Sequence, residues 1–193
     1  MTSAGLPLEL PAPRPLRWVA IVWGVGGVLA LLGQAIARLA PLARDAIERH
    51  TLSDAQLVAL VTWVLFSAYT EGYKGFHKRF SPRVVARALH LARHPRALHV
   101  ALAPAFCMSW FHASRRGLAV AWGIVFMVAG FVLLLRRVPQ PWRGIVDAGV
   151  VVGLALGALS VLYWALCAAR GAPVGIDPDL PAPRRSTDAA AGA

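Results

Sequence analysis

Ten consecutive residues, Glu71-Gly72-Tyr73-Lys74-Gly75-Phe76-His77-Lys78-Arg79-Phe80, hold the densest set of reactive side chains in this chain. Basic and aromatic residues alternate there. Such a pattern suits a surface of phosphate groups, with ammonium and guanidinium groups on the phosphates and rings at the glycerol level. Each cation beside an anionic membrane surface contributes about 1 kcal/mol of attraction. Glu71 is the single acid in the stretch and closes an apolar run. A carboxylate in that position is a functional residue by default, unless Lys74 three positions on neutralises it as an ion pair. On an uninterrupted α-helix Trp63, Ser67, Glu71, Lys74 and Lys78 share one face, although two glycines in four residues weaken that continuation. Together with Arg115 and Arg116, the pattern predicts a site for an anionic head group or phosphate-bearing ligand built from Glu71, Tyr73, Lys74, Lys78, Arg79, Arg115 and Arg116.

Other constellations carry less chemistry. Cys107, Met108 and His112 lie close together and His99 is on the same segment, but no Cys-x-x-Cys, no His-x-x-x-His and no inward carboxylate set accompanies them. Neither a metal nor any other cofactor is expected. His99 and His112 read as the wet ends of a membrane-dipping segment. Nucleophile elbows and phosphate-cradling glycine loops are absent, as are the paired broken helices of inverted-repeat transporters. Asp147 reads as a capping carboxylate at a helix N-terminus, with Arg143 one turn away.

The elements that position these residues follow from composition. Of 193 residues 58% are hydrophobic and 15% charged, against about 45–50% and about 25% in globular proteins. Residues 18–37, 117–135 and 148–169 carry no Lys, Arg, Asp or Glu, and each reaches about 30 Å as a helix, the thickness of a bilayer core. The net charge of +11 would point to nucleic acid in a soluble protein. Here the basic residues flank apolar runs, so they belong to a membrane face and no nucleic-acid partner is expected. The run after Arg14 and Arg17 is long for a cleaved leader and reads as a retained first helix.

Residues 1–15 hold four prolines and read as a flexible lead-in, and residues 171–193 as a disordered tail. Residues 16–170 form one helical membrane domain with spans at about 18–39, 54–71, 117–135 and 146–169. Ser53 and Gln56 make a capping box at the start of the second span. Residues 82–94 form an amphipathic helix lying on the membrane, with Ser81 as its N-cap, Pro82 at its first position, and Arg83, Arg87, His90 and His94 on its polar stripe. Residues 97–114, with Pro104 in the middle, either re-enter the same face or cross as a fifth span. The first choice places fourteen Lys and Arg on one face and six on the other, the second twelve and eight. Four spans with both termini cytoplasmic give the stronger asymmetry. Gly149, Gly153 and Gly157 repeat every four residues on the last span and predict close contact with another helix, of this chain or of a second copy.

The expectation is therefore an all-α integral protein of the cytoplasmic (inner) membrane. Its expected role is non-enzymatic: binding anionic lipid head groups at the cytoplasmic face, or serving as a subunit or scaffold with a membrane-protein partner or in a homo-oligomer. The competing role is a small membrane enzyme or carrier for a phosphate-bearing or lipidic substrate, with Glu71 as its acid/base or coupling residue.

Overall fold

The computed structural model describes residues 14–49 and 52–181. Residues 1–13 and 182–193, which include most of the expected flexible ends, lie outside the described residues. Every regular element among the described residues is helical: α1 (Arg14–Glu48), α2 (Asp54–Ser67), a π-helix (Ala68–Phe80), α3 (Ser81–Arg93), α4 (Ala97–Ala101), α5 (Ala103–Cys107), α6 (Arg115–Leu135) and α7 (Trp142–Ala169). Three helices, within α1, α6 and α7, are long and apolar enough to cross a membrane. The expected second span is instead divided between the 14 residues of α2 and the start of the π-helix.

Ser53 opens α2 with the reciprocal cap that its spacing from Gln56 predicts: the Gln56 amide donates to the Ser53 hydroxyl at 3.4 Å, and the Ser53 amide to the Gln56 side chain at 3.0 Å. From Asp54 to Arg93 the helix then runs without a break, changing from α to π and back. Ser81 is accordingly not an N-cap. It is buried inside a continuing helix, and its amide donates to Phe76, five residues back. Pro82 has no amide to give the carbonyl five residues before it, that of His77. The Trp164 indole takes its place, donating to His77 O at 3.1 Å.

α1 continues past the expected end of the first span, through Pro41 to Glu48. Its last turns lie against the start of α7, where a Cβ on Gly144 would collide with Ala46. At the other end of the bundle Ala20, Val25 and Val28 of α1 share a core with Val84, Ala88 and Leu91 of α3, Phe106 of α5 and Val161 of α7. α1 is thus antiparallel to α7. α2 and the π-helix run parallel to α7: Trp63 donates to Val146 O at 3.1 Å, and the His77 ring meets Ser160 at 3.0 Å.

Residues 97–114 fold back on themselves. They hold two five-residue helices, and the rings of His99 and His112, near the two ends, are 4.8 Å apart. The hairpin seats in notches on α1, where a Cβ on Gly24 would come 2.9 Å from Cys107 Sγ and one on Gly27 would strike the Pro104 ring. α6 stands apart from the bundle, with only Gly117 and Leu135 buried. Past α7 the first residues of the expected disordered tail turn back on the helix end, and the tail is held at Asp179, whose carbonyl accepts from the Ser114 amide at 3.1 Å.

Candidate functional site

The expected cluster around Glu71 is split between two faces. Trp63, Ser67 and Glu71 do share a face, and it lies on α7: Trp63 and Ser67 cover Gly149, Glu71 covers Gly153 and Phe76 covers Gly157. A Cβ on Gly153 would sit 2.6 Å from Glu71 Oε2, so the carboxylate rests on the α7 backbone. Lys74 and Lys78 leave that face, because the helix widens to π after Ser67 and an α period no longer applies. Lys74 Nζ lies 4.7 Å above the Tyr69 ring and Lys78 Nζ 4.8 Å above the Tyr73 ring, each five residues back. The rings of Tyr69, Tyr73 and His77 stack at 6.2 and 5.8 Å beneath them. The anticipated Glu71–Lys74 ion pair does not form, and among the described residues Glu71 has neither a hydrogen bond nor an ion pair. Arg79 is exposed, as are Arg115 and Arg116 in the first turn of α6. α6 does not pack on the π-helix, so the structure does not bring the two arginines to the other members of the predicted set.

The helix expected to lie on the membrane is enclosed instead. α3 is packed by α1, α5, α7 and the π-helix, and nine of its residues are buried. Arg87, expected on the polar stripe with Arg83, His90 and His94, is fully buried. Its guanidinium donates to five carbonyls: Nε to Phe106 at 2.6 Å, Nη1 to Pro178 at 2.8 Å and Asp179 at 3.2 Å, Nη2 to Phe111 at 3.2 Å and His112 at 3.0 Å. The Phe106 ring lies 4.3 Å beneath it. A planar fork with five donors can tie α3, the hairpin and the tail together in this way. Burial lowers the Arg87 pKa to about 10, and the group stays charged at neutral pH.

Beside Arg87 four of the described histidines converge. His90, Leu91, His94, Arg96, His99, Phe106 and His112 line a cavity of about 210 Å³. The His90 and His94 rings are 4.8 Å apart, and His99 stacks on Phe106 at 5.2 Å. Ser109 and His112 have φ of 62° and 51°, a backbone conformation that side chains adopt at a cost and that is found disproportionately at binding sites. Burial lowers the pKa values of His90, His99 and His112, and the nearby cations Arg87 and Arg96 and neighbouring imidazoles add to the effect. The lining holds two kinds of donor, imidazole and guanidinium, and no carboxylate. Among the described residues no group of three His, Cys, Asp or Glu side chains is placed to hold a metal ion. Sequence spacing identified these histidines only as stripe or hairpin ends, and the contact that joins them comes from the fold-back of residues 97–114.

Asp147 is not a cap. It lies in the second turn of α7, 2% exposed, with Oδ2 3.7 Å from Arg143 Nε. Gln140 does the capping, its side-chain oxygen accepting from the Gly144 amide at 3.1 Å. Comparison of the chain with family models, with curated proteins and with solved structures gives no match.

Proposed function

We propose that this chain is a four-span, non-enzymatic component of the cytoplasmic membrane that holds an anionic phosphate group, foremost that of a lipid head group, in the basket of His90, His94, Arg96, His99 and His112. α2 and the π-helix together supply the fourth crossing. Trp142 and Trp164 mark the two girdles of α7, 22 residues and about 33 Å apart, which fits a bilayer core of about 30 Å. The basket lies at the Trp164 end, beside the start of α1 and the tail, on the face with the larger share of Lys and Arg. The single observation behind this reading is a cavity lined by four imidazoles and a guanidinium, with no carboxylate among them.

Native mass spectrometry of the full chain with added phosphatidic acid or phosphatidylcholine tests this. Phosphatidic acid should be retained, and His94→Gln with Arg96→Gln should weaken retention roughly tenfold, the worth of one charged hydrogen bond. Displacement by inorganic phosphate would assign the site to phosphate itself rather than to the lipid. The depressed histidines are neutral near pH 7 and charge only below the ordinary value of about 6.5. A bound anion favours the charged form, so retention should strengthen as pH falls from about 7.5 to about 5.5. Equal retention of both lipids at every pH contradicts the reading.

A further inference from the structure

α3 lines the basket with His90, Leu91 and His94, and with Leu89, Ala92 and Arg93 it lines a second, larger hollow against the start of α1. This hollow has a volume of about 280 Å³, and α1 contributes Arg17, Trp18 and Ile21 to it. Each helix thus supplies an arginine and, four residues away on the same side, an aliphatic residue: Arg17 and Ile21 of α1, Arg93 and Leu89 of α3. α3 prolongs without a break the helix that runs antiparallel to α1, so Arg93 follows Leu89 in the direction in which Arg17 precedes Ile21. Both cations therefore lie toward the end where α1 begins, and both aliphatic residues one turn deeper. Trp18, 63% exposed, and Ala92 complete the wall.

Nothing in the lining neutralises the two arginines. None of the six residues is acidic, and among the described residues neither guanidinium has a hydrogen bond or an ion pair. Arg17 Nε is itself buried without an acceptor. A buried donor left unpaired is costly, and a bound acceptor removes that cost. Guanidinium groups hold phosphate by paired, charge-assisted hydrogen bonds. The apolar half of the hollow would contribute nothing to a free ion, but it covers a hydrocarbon chain.

We propose that the hollow between α1 and α3 is a second lipid site, which seats one anionic phospholipid with its phosphate at Arg17 and Arg93 and the first part of an acyl chain along Trp18, Ile21, Leu89 and Ala92. Head group toward solution and chain one turn deeper is the order in which a leaflet presents a lipid. This inference rests on the membrane reading above, with the start of α1 at the cytoplasmic face, and is independent of the histidine basket. It adds one lipid to the one held there.

The test uses the full chain in vesicles of phosphatidylcholine with a minor fraction of phosphatidylglycerol, one lipid or the other carrying bromine on its acyl chains, which quenches a tryptophan only on contact. Trp18 is read as the difference between chains with and without Trp18→Phe. Brominated phosphatidylglycerol should quench Trp18 severalfold more than the same mole fraction of brominated phosphatidylcholine. Arg17→Gln with Arg93→Gln should bring the two lipids level, with unchanged helical circular dichroism. Arg115→Gln with Arg116→Gln removes the same charge from the exposed first turn of α6 and should leave the preference as it was. Excess inorganic phosphate on both sides should leave it as well. Equal quenching by the two lipids in the wild-type chain, or a preference that survives Arg17→Gln with Arg93→Gln, overturns the proposal. Equal loss in both double variants overturns it too, because the attraction would then be that of a diffuse basic surface, and relief of quenching by inorganic phosphate would assign the hollow to a free ion. No tryptophan lines the basket, so a failed phosphatidic acid experiment would leave this result untouched. Failure of the chain to float with the vesicles would overturn the membrane reading and this inference with it.

Discussion

Arg87 carries a full charge into the interior and meets five carbonyl dipoles there. Each such bond to a charged group contributes about 1.5–3 kcal/mol relative to leaving the charge unpaired. Lysine would keep the charge but has three donors on a rotating point and cannot span the same fork. Arg87→Lys should therefore lower stability by about 2–4 kcal/mol, read as a fall in the thermal unfolding midpoint in detergent. An unchanged midpoint would mean that the tail and hairpin hold without it. At this scale the sequence told part of the story. Glu71 stands out because an acid beside an apolar run is visible in a string of letters. The role of Arg87 does not, since its carbonyl partners lie 19 to 92 positions away, and a helical wheel assigns an arginine to the wet side.

The π-helix decides what its neighbours do. An α period carried through residues 68–80 would align Glu71 with Lys74 and Lys78; the wider turn sets the acid against α7 and the cations on rings facing outward. Its glycines at 72 and 75 were legible as a weak point in an α-helix, but the direction of the departure was not, because π geometry is stabilised by contacts from elsewhere, such as Trp164 on His77 O. The glycine repeat on α7 was legible as a smooth face. Its partner within the described residues is this same helix, which covers Gly149, Gly153 and Gly157 with Trp63, Glu71 and Phe76. Gly153→Leu would overfill that contact and should cost about 1–3 kcal/mol. Gly123→Leu on α6, with nothing within 4 Å of a new Cβ, should leave the unfolding midpoint unchanged within about 0.5 kcal/mol. Similar losses at both positions would show that α6 is also packed, against a second copy or a partner helix.

For the whole molecule, length and hydrophobicity set the class: the described residues are helical, and three helices suit a membrane. The counted charges favoured residues 97–114 returning to the face they left, and the His99–His112 contact has that geometry. The enclosure of α3 was not legible, because it requires α1, the hairpin and α7 to arrive at one place from distant parts of the chain. The proposed crossing by α2 and the π-helix is what puts the histidine basket on the cytoplasmic face. Single cysteines in the full chain test that crossing most directly, with Cys107→Ala and Cys167→Ala as background. In intact cells a membrane-impermeant maleimide should label Arg49→Cys, whereas Arg116→Cys should react only after the membrane is opened. Labelling of both from the same side would mean an even number of crossings between them and would contradict the four-span arrangement.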